Sequence, residues 1–133
     1  MTRSLALSFL ALVALAVPAL AETPAEPNAL VVKIHADWCS TCKVLEPTWT
    51  ELESDPRARF VILDVTDDAT KSQARATAED LGIASFFDAY QGKTGTIAIL
   101  ASDSGEVVAV HKGERDAGVY REVLATFADP ATS

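Results

Sequence analysis

The sequence predicts a small α/β domain of three layers, α/β/α around a mixed sheet, and three observations carry that prediction. Segments of strand composition alternate with segments of helical periodicity in the order β-α-β-α-β-β-α. The chain left after an N-terminal leader is long enough for one hydrophobic core and too short for two. Its two cysteines stand as Cys-x-x-Cys where the first strand gives way to the first helix.

The leader is residues 1–21. Arg3 opens it with positive charge, Leu5 to Val17 form an apolar run, and Ala19-Leu20-Ala21 supplies small residues at a cleavage position. That layout is a secretory signal peptide, with the cut expected between Ala21 and Glu22. The other reading, an uncleaved anchor, meets two obstacles: the run falls short of the roughly 20 residues that cross a bilayer, and Pro18 interrupts it. No cysteine follows the cleavage position, which excludes lipid attachment there. The expected location is therefore the periplasm or the medium. Loss of Arg3 leaves 10 basic against 19 acidic residues, a net charge of −9. Such a surface disfavours nucleic acid and anionic membranes, which reward Lys and Arg clusters.

Residues 22–28 carry two prolines without apolar periodicity and read as a linker to a domain over 29–129, followed by a tail over 130–133. Leu30 to His35 is a β-branched run and reads as a strand. From Ser40 to about Glu53, Val44, Leu45, Trp49 and Leu52 are spaced for one helical face, and Pro47 should kink that helix. Arg59 to Val65 reads as the second strand. Thr66, Asp67 and Asp68 offer N-caps to a polar helix ending near Leu81 and Gly82. Ile83 to Gly92 reads as a short helix or loop. Thr96–Leu100 and Val107–His111 form a hairpin across Ser102-Asp103-Ser104-Gly105. A last helix from Asp116 to about Ala128 turns Val119, Val123, Leu124 and Phe127 inward.

Two cysteines in an exported chain often make a structural disulfide, but Cys-x-x-Cys closes a loop too small to restrain the unfolded chain much. Chemistry explains the spacing better. The free N–H groups and dipole of a helix N-terminus favour an anion, hence the thiolate of Cys39. Cys42 lies one turn later on the same side. Cys39 is the expected exposed nucleophile and Cys42 the more buried resolving thiol.

The stretch Val32-Lys33-Ile34-His35-Ala36-Asp37-Trp38-Cys39-Ser40-Thr41-Cys42-Lys43 resembles the active-site segment of the thioredoxin family. Pro47 matches the proline of that family's active-site helix. Ser104-Gly105-Glu106-Val107 and Gly113 resemble its last hairpin and trailing glycine. The similarity runs from about Ala29 to Phe127 and lacks the strand and helix that precede this core in the full-length family. It implies a thioredoxin-like fold and dithiol–disulfide exchange with protein thiols and disulfides, served by a redox partner that no motif identifies. A monomer needing no cofactor and no resident metal is expected. Trp38 would shield the disulfide and touch substrate, and Ser40 and Thr41 would tune its potential. Trp38 and Lys43 favour a reductase-like direction.

Three departures from the family stand out. No proline lies between Pro56 and Pro130, so the cis-proline loop that in the family faces the dithiol and pairs with substrate backbone has no counterpart; Thr94-Gly95-Thr96 takes its place as the expected substrate-binding loop, with Gly95 at the proline position. A trans or rearranged loop is expected, since a non-proline cis bond costs roughly 3 kcal/mol. Lys33 replaces the buried acid six residues before the first cysteine. It either supports thiolates and proton transfer from a half-buried position or lines the sheet with its head in water. His35, on the same face, is a further proton-transfer candidate, with a packed, hydrogen-bonded imidazole as the alternative. Finally, Phe86, Phe87 and Tyr90 form either an aromatic rim beside Cys39 or plain core. Two rivals remain. One is a metal module using Cys39 and Cys42 with His35 or His111, short of ligands for a structural zinc site. The other is an adaptor whose dithiol is no longer used.

Overall fold

The computed structural model describes residues 26–127. The expected leader, its cleavage position and the 130–133 tail lie outside the described residues. Nine elements follow in order: β1 (Ala29–His35), α1 (Ser40–Val44), α2 (Glu46–Leu52), β2 (Ala58–Asp64), α3 (Asp68–Asp80), α4 (Ala84–Tyr90), β3 (Thr96–Ala101), β4 (Val107–Lys112) and α5 (Ala117–Leu124). None of these helices is long and apolar enough to cross a membrane.

The sheet order is β2-β1-β3-β4. β1 runs parallel to β2 and antiparallel to β3, and β3 pairs antiparallel with β4. β1 has neighbours on both edges and helices on both faces, which is why its run is apolar apart from Lys33 and the terminal His35. Its side chains alternate between two cores. Leu30, Val32 and Ile34 pack with Ala74 and Ala78 of α3 and Phe86 and Phe87 of α4. Ala29 and Val31 pack with Leu45, with Trp49 and Leu52 of α2, and with Tyr120 and Leu124 of α5. Helices cover both faces of a mixed sheet, as the element order implies.

The chain departs from expectation at three places and settles one open alternative. The helix after the dithiol is broken at Leu45 into α1 and α2, with Pro47 in the first turn of α2 where its missing N–H costs nothing. Leu45 is buried in step with Cys42, Trp49 and Leu52, and Val44 is exposed rather than inward. Residues 84–90 are helical, which resolves the helix-or-loop alternative, and Phe86 and Phe87 are core residues rather than a rim. On α5 the inward residues are Ala117, Tyr120 and Leu124, with Val123 and Phe127 packed against them; Val119 is only half-buried. α5 ends at Leu124, short of Ala128.

Local capping accounts for the element limits. Asp67 caps α3 by accepting from the Thr70 N–H, and Thr70 Oγ1 accepts from the Asp67 N–H in return. Between α2 and β2, Asp55 accepts from the Arg57 backbone N–H, Nε and Nη2. The Arg57 side-chain bonds hold the Asp55 carboxyl below its usual range, outweighing the opposing effect of burial. A pKa lower in the folded than in the unfolded chain stabilises the fold above the unfolded value and loses that stabilisation as pH falls through the folded one. Asp55→Asn is thus expected to cost about 1 kcal/mol near neutrality and to flatten the loss of stability below about pH 4. Urea titrations at pH 7 and pH 3 measure both.

Candidate active site

The site lies at the C-terminal end of β1, where the chain turns through Asp37-Trp38 into α1. Cys39 is the N-cap of α1, and its Sγ accepts from the Cys42 N–H at 3.1 Å. Cys39 and Cys42 form a disulfide with Cα atoms 5.2 Å apart. Cys42 is fully buried and Cys39 is 6% exposed. The expected asymmetry is present, but Cys39 shows only an edge in this oxidised state, because both sulfurs belong to the core that Phe86 and Phe87 line. Cys42 Sγ lies 3.7 Å from the Ile34 carbonyl oxygen, the acceptor its thiol would meet on reduction.

Trp38 stands 65% exposed beside Cys39. Its Nε1 donates to the Thr66 carbonyl at 3.0 Å, and the Asp37 N–H donates to Thr66 Oγ1, so the turn before the dithiol is tied to the turn after β2. An exposed indole with its polar edge already bonded presents an apolar face to a partner.

Gly95 does face the dithiol. The described peptide bonds are all trans, and Gly95 has φ +81°. A Cβ built there would stand 2.7 Å from Thr41 Cγ2, 2.9 Å from Thr41 Cβ and 3.8 Å from Cys39 Sγ. Thr41 Cγ2 also comes within 3.5 Å of a Cβ built on Gly113, and the Gly113 N–H donates to the Gly95 carbonyl. Thr41 therefore packs over a glycine floor. Both backbone angle and space demand glycine at 95. Gly95→Ala is expected to destabilise by about 2 kcal/mol, and Thr41→Gly should recover part of that in a double-mutant cycle read by urea unfolding. Thr94 is half-buried, whereas Thr96 opens β3 with its side chain closed to solvent, which removes Thr96 from the expected substrate surface.

Lys33 corrects the expectation most sharply. Its head does not reach water: the side chain is fully buried, Nζ donates to Glu46 Oε1 at 2.8 Å, and it lies 5.3 Å from the Trp49 ring centroid. Glu46 is half-exposed and carries the pair to the surface. Glu46 escapes a sequence reading, although a lysine inside an apolar strand signals that an acid must come from elsewhere in the fold. His35 is four-fifths buried; its Nε2 lies 3.3 Å from Asp37 Oδ1, and its Nδ1 is buried without a partner. His111 packs edge-on against Tyr120, at 5.4 Å between centroids. Burial pushes the Tyr120 hydroxyl well above its usual range, with Glu114 adding to the shift. Among the described residues, no imidazole completes a three-ligand group with the two sulfurs, which disfavours the metal module.

Comparison with known proteins agrees with this geometry. The family model "Thioredoxin" matches residues 20–108. The fold is similar to that of a mutant thioredoxin from Halobacterium salinarum NRC-1, at TM-score 0.53 and 20% identity over 77% of each chain. It is likewise similar to thioredoxin from Fasciola hepatica, at TM-score 0.50 and 19% identity over 77% of this chain and 84% of that one. No curated protein sequence matches significantly. With a family match across most of its length and a closed Cys39–Cys42 pair at the head of α1, the chain belongs to the thioredoxin family and is a thiol–disulfide oxidoreductase.

Proposed function

We propose that the protein reduces disulfides in protein substrates outside the cytoplasm, with Cys39 as nucleophile and Cys42 as resolving thiol. The observation that carries this reading is the asymmetric pair at the helix start: Cys39 at the N-cap with a small exposed edge, Cys42 fully buried beneath it. The Cys39 thiolate attacks a substrate disulfide, forms the mixed disulfide and releases one substrate thiolate. The Cys42 thiolate then attacks Cys39 Sγ, expels the second substrate thiolate and closes the intramolecular disulfide. Two electrons pass to substrate, and an external dithiol must reopen the pair.

Trp38 supplies the apolar contact for substrate, and Thr94 with Gly95 borders the sulfurs opposite it. Lys33 supports the thiolates as a buried cation whose partner, Glu46, connects it to solvent. The surroundings of Trp38 and Lys43 support the reductase direction through their likeness to the family. Export rests on the charged, apolar and small-residue pattern of residues 1–21.

Catalysed reduction of insulin by dithiothreitol tests the activity: turbidity should develop early with catalytic protein, and an onset no faster than with reductant alone would reject it. Expression of the full chain in a bacterial host tests export. A product beginning at Glu22 outside the cytoplasm is expected, and an intact chain retained in the cytosol would contradict the location.

A further inference from the structure

The geometry points to a second site beside the dithiol: a divalent-cation site of the zinc class, made by His35, Asp37 and Asp64. One ligand atom from each residue lies within 4.8 Å of the other two. The grouping is a product of the fold. His35 and Asp64 are register partners at the ends of the parallel strands β1 and β2, and Asp37 follows on the turn that leaves β1.

The Asp64 carboxylate is held as a ligand is held. Asp64 Oδ1 accepts from both the N–H and the hydroxyl of Thr66, which fixes the group and leaves Oδ2 for a cation. The same Thr66 hydroxyl oxygen accepts from the Asp37 N–H and anchors the turn that carries the second carboxylate. Asp37 is 78% exposed at its side chain, so it is free to close on an ion while Asp64 and His35 stay fixed. Donor atoms around one small divalent ion sit about 3 Å apart, a modest contraction from the present spacing.

Charge supports the same reading. Among the described residues the ion pairs of Lys and Arg go to Glu46, Asp55, Asp88 and Glu51, and neither Asp37 nor Asp64 has such a partner. Two carboxylates are thus brought together on a chain of net charge −8 with only an imidazole between them. An imidazole nitrogen with two carboxylate oxygens suits zinc, manganese or cobalt, whereas calcium and magnesium prefer all-oxygen sites. Coordination through Nε2 moves the ring proton to the buried, unpartnered Nδ1, so the site lacks the outer hydrogen bond that tightens most histidine ligands and binds more weakly than a structural zinc centre. Sequence alone does not reveal it, because the pairing of His35 with Asp64 exists only through strand register.

Isothermal titration of the oxidised protein with Zn²⁺ tests the site, since the disulfide withholds both sulfurs. One saturable equivalent is expected, together with a rise in melting temperature. His35→Gln and Asp37→Asn should each weaken binding at least about tenfold; the exposed Asp37 substitution guards against misfolding of the His35 variant. Cys39→Ser/Cys42→Ser should bind as the oxidised protein does. Absence of saturable binding, binding unchanged in both single variants, or binding confined to reduced protein and lost with the two cysteines would each overturn the proposal. The last outcome would assign the metal to the dithiol.

Discussion

Cys42→Ser is expected to accumulate mixed disulfides with protein substrates, while Cys39→Ser accumulates none. The geometry sets this asymmetry. Cys39 keeps a small exposed edge at the head of α1, where helix N–H groups favour its thiolate, whereas Cys42 is sealed in the core that Ile34 and α4 line. Without Cys42 the first exchange proceeds and the second cannot, so the covalent intermediate persists. Without Cys39 the remaining sulfur is closed to a macromolecular disulfide. Turnover in both variants should fall to the background of the reductant alone, a loss of roughly 10³-fold or more. Non-reducing gels and mass spectrometry distinguish the two. Equal trapping by either variant would mean that both sulfurs are accessible, and the assignment of roles would fail.

Glu46→Ala and Lys33→Met should move stability in opposite directions. Removing Glu46 strands the Lys33 ammonium in a fully buried position with only the Trp49 ring beside it. Breaking such a pair costs about 3 kcal/mol, since desolvation is no longer offset. Lys33→Met instead removes the buried charge and fills the same space with an apolar chain of similar length, and it releases a carboxylate that is already half in water. That variant should be as stable as the parent or more stable, by up to about 2 kcal/mol. If Lys33 serves the dithiol, the price of the stabler core is slower thiol exchange and a thiolate that forms at higher pH. Urea unfolding and the pH dependence of alkylation at Cys39 measure the two effects. A Lys33→Met variant that loses stability would show that the pair is structural.

Much of the architecture was legible because its signals are local. The apolar run of β1, the Asp67 cap and the Ser102–Gly105 turn each announce themselves over a few residues. The differences arise where apolar spacing alone does not select the inward side chains. Val44 faces outward beside the inward set of Cys42, Leu45, Trp49 and Leu52, although its apolar character groups it with them. Tyr120 falls outside the inward set that apolar spacing selects on the last helix, yet its hydroxyl finds the Glu114 carbonyl and its ring fills the core. The partner of the buried Lys33 could not be read either, because Glu46, on another element, is invisible to strand periodicity. The dithiol was plain from spacing and context. Its surroundings were not: the contact of Thr41 with Gly95 and the ties from Thr66 to the Asp37-Trp38 turn are long-range in sequence.

The reduction potential of Cys39–Cys42, read by thiol trapping across defined redox buffers, tests the central claim most directly. A reductase outside the cytoplasm should give a value near about −270 to −230 mV. A value near about −180 to −120 mV would make the protein an oxidant or isomerase and contradict the direction proposed here.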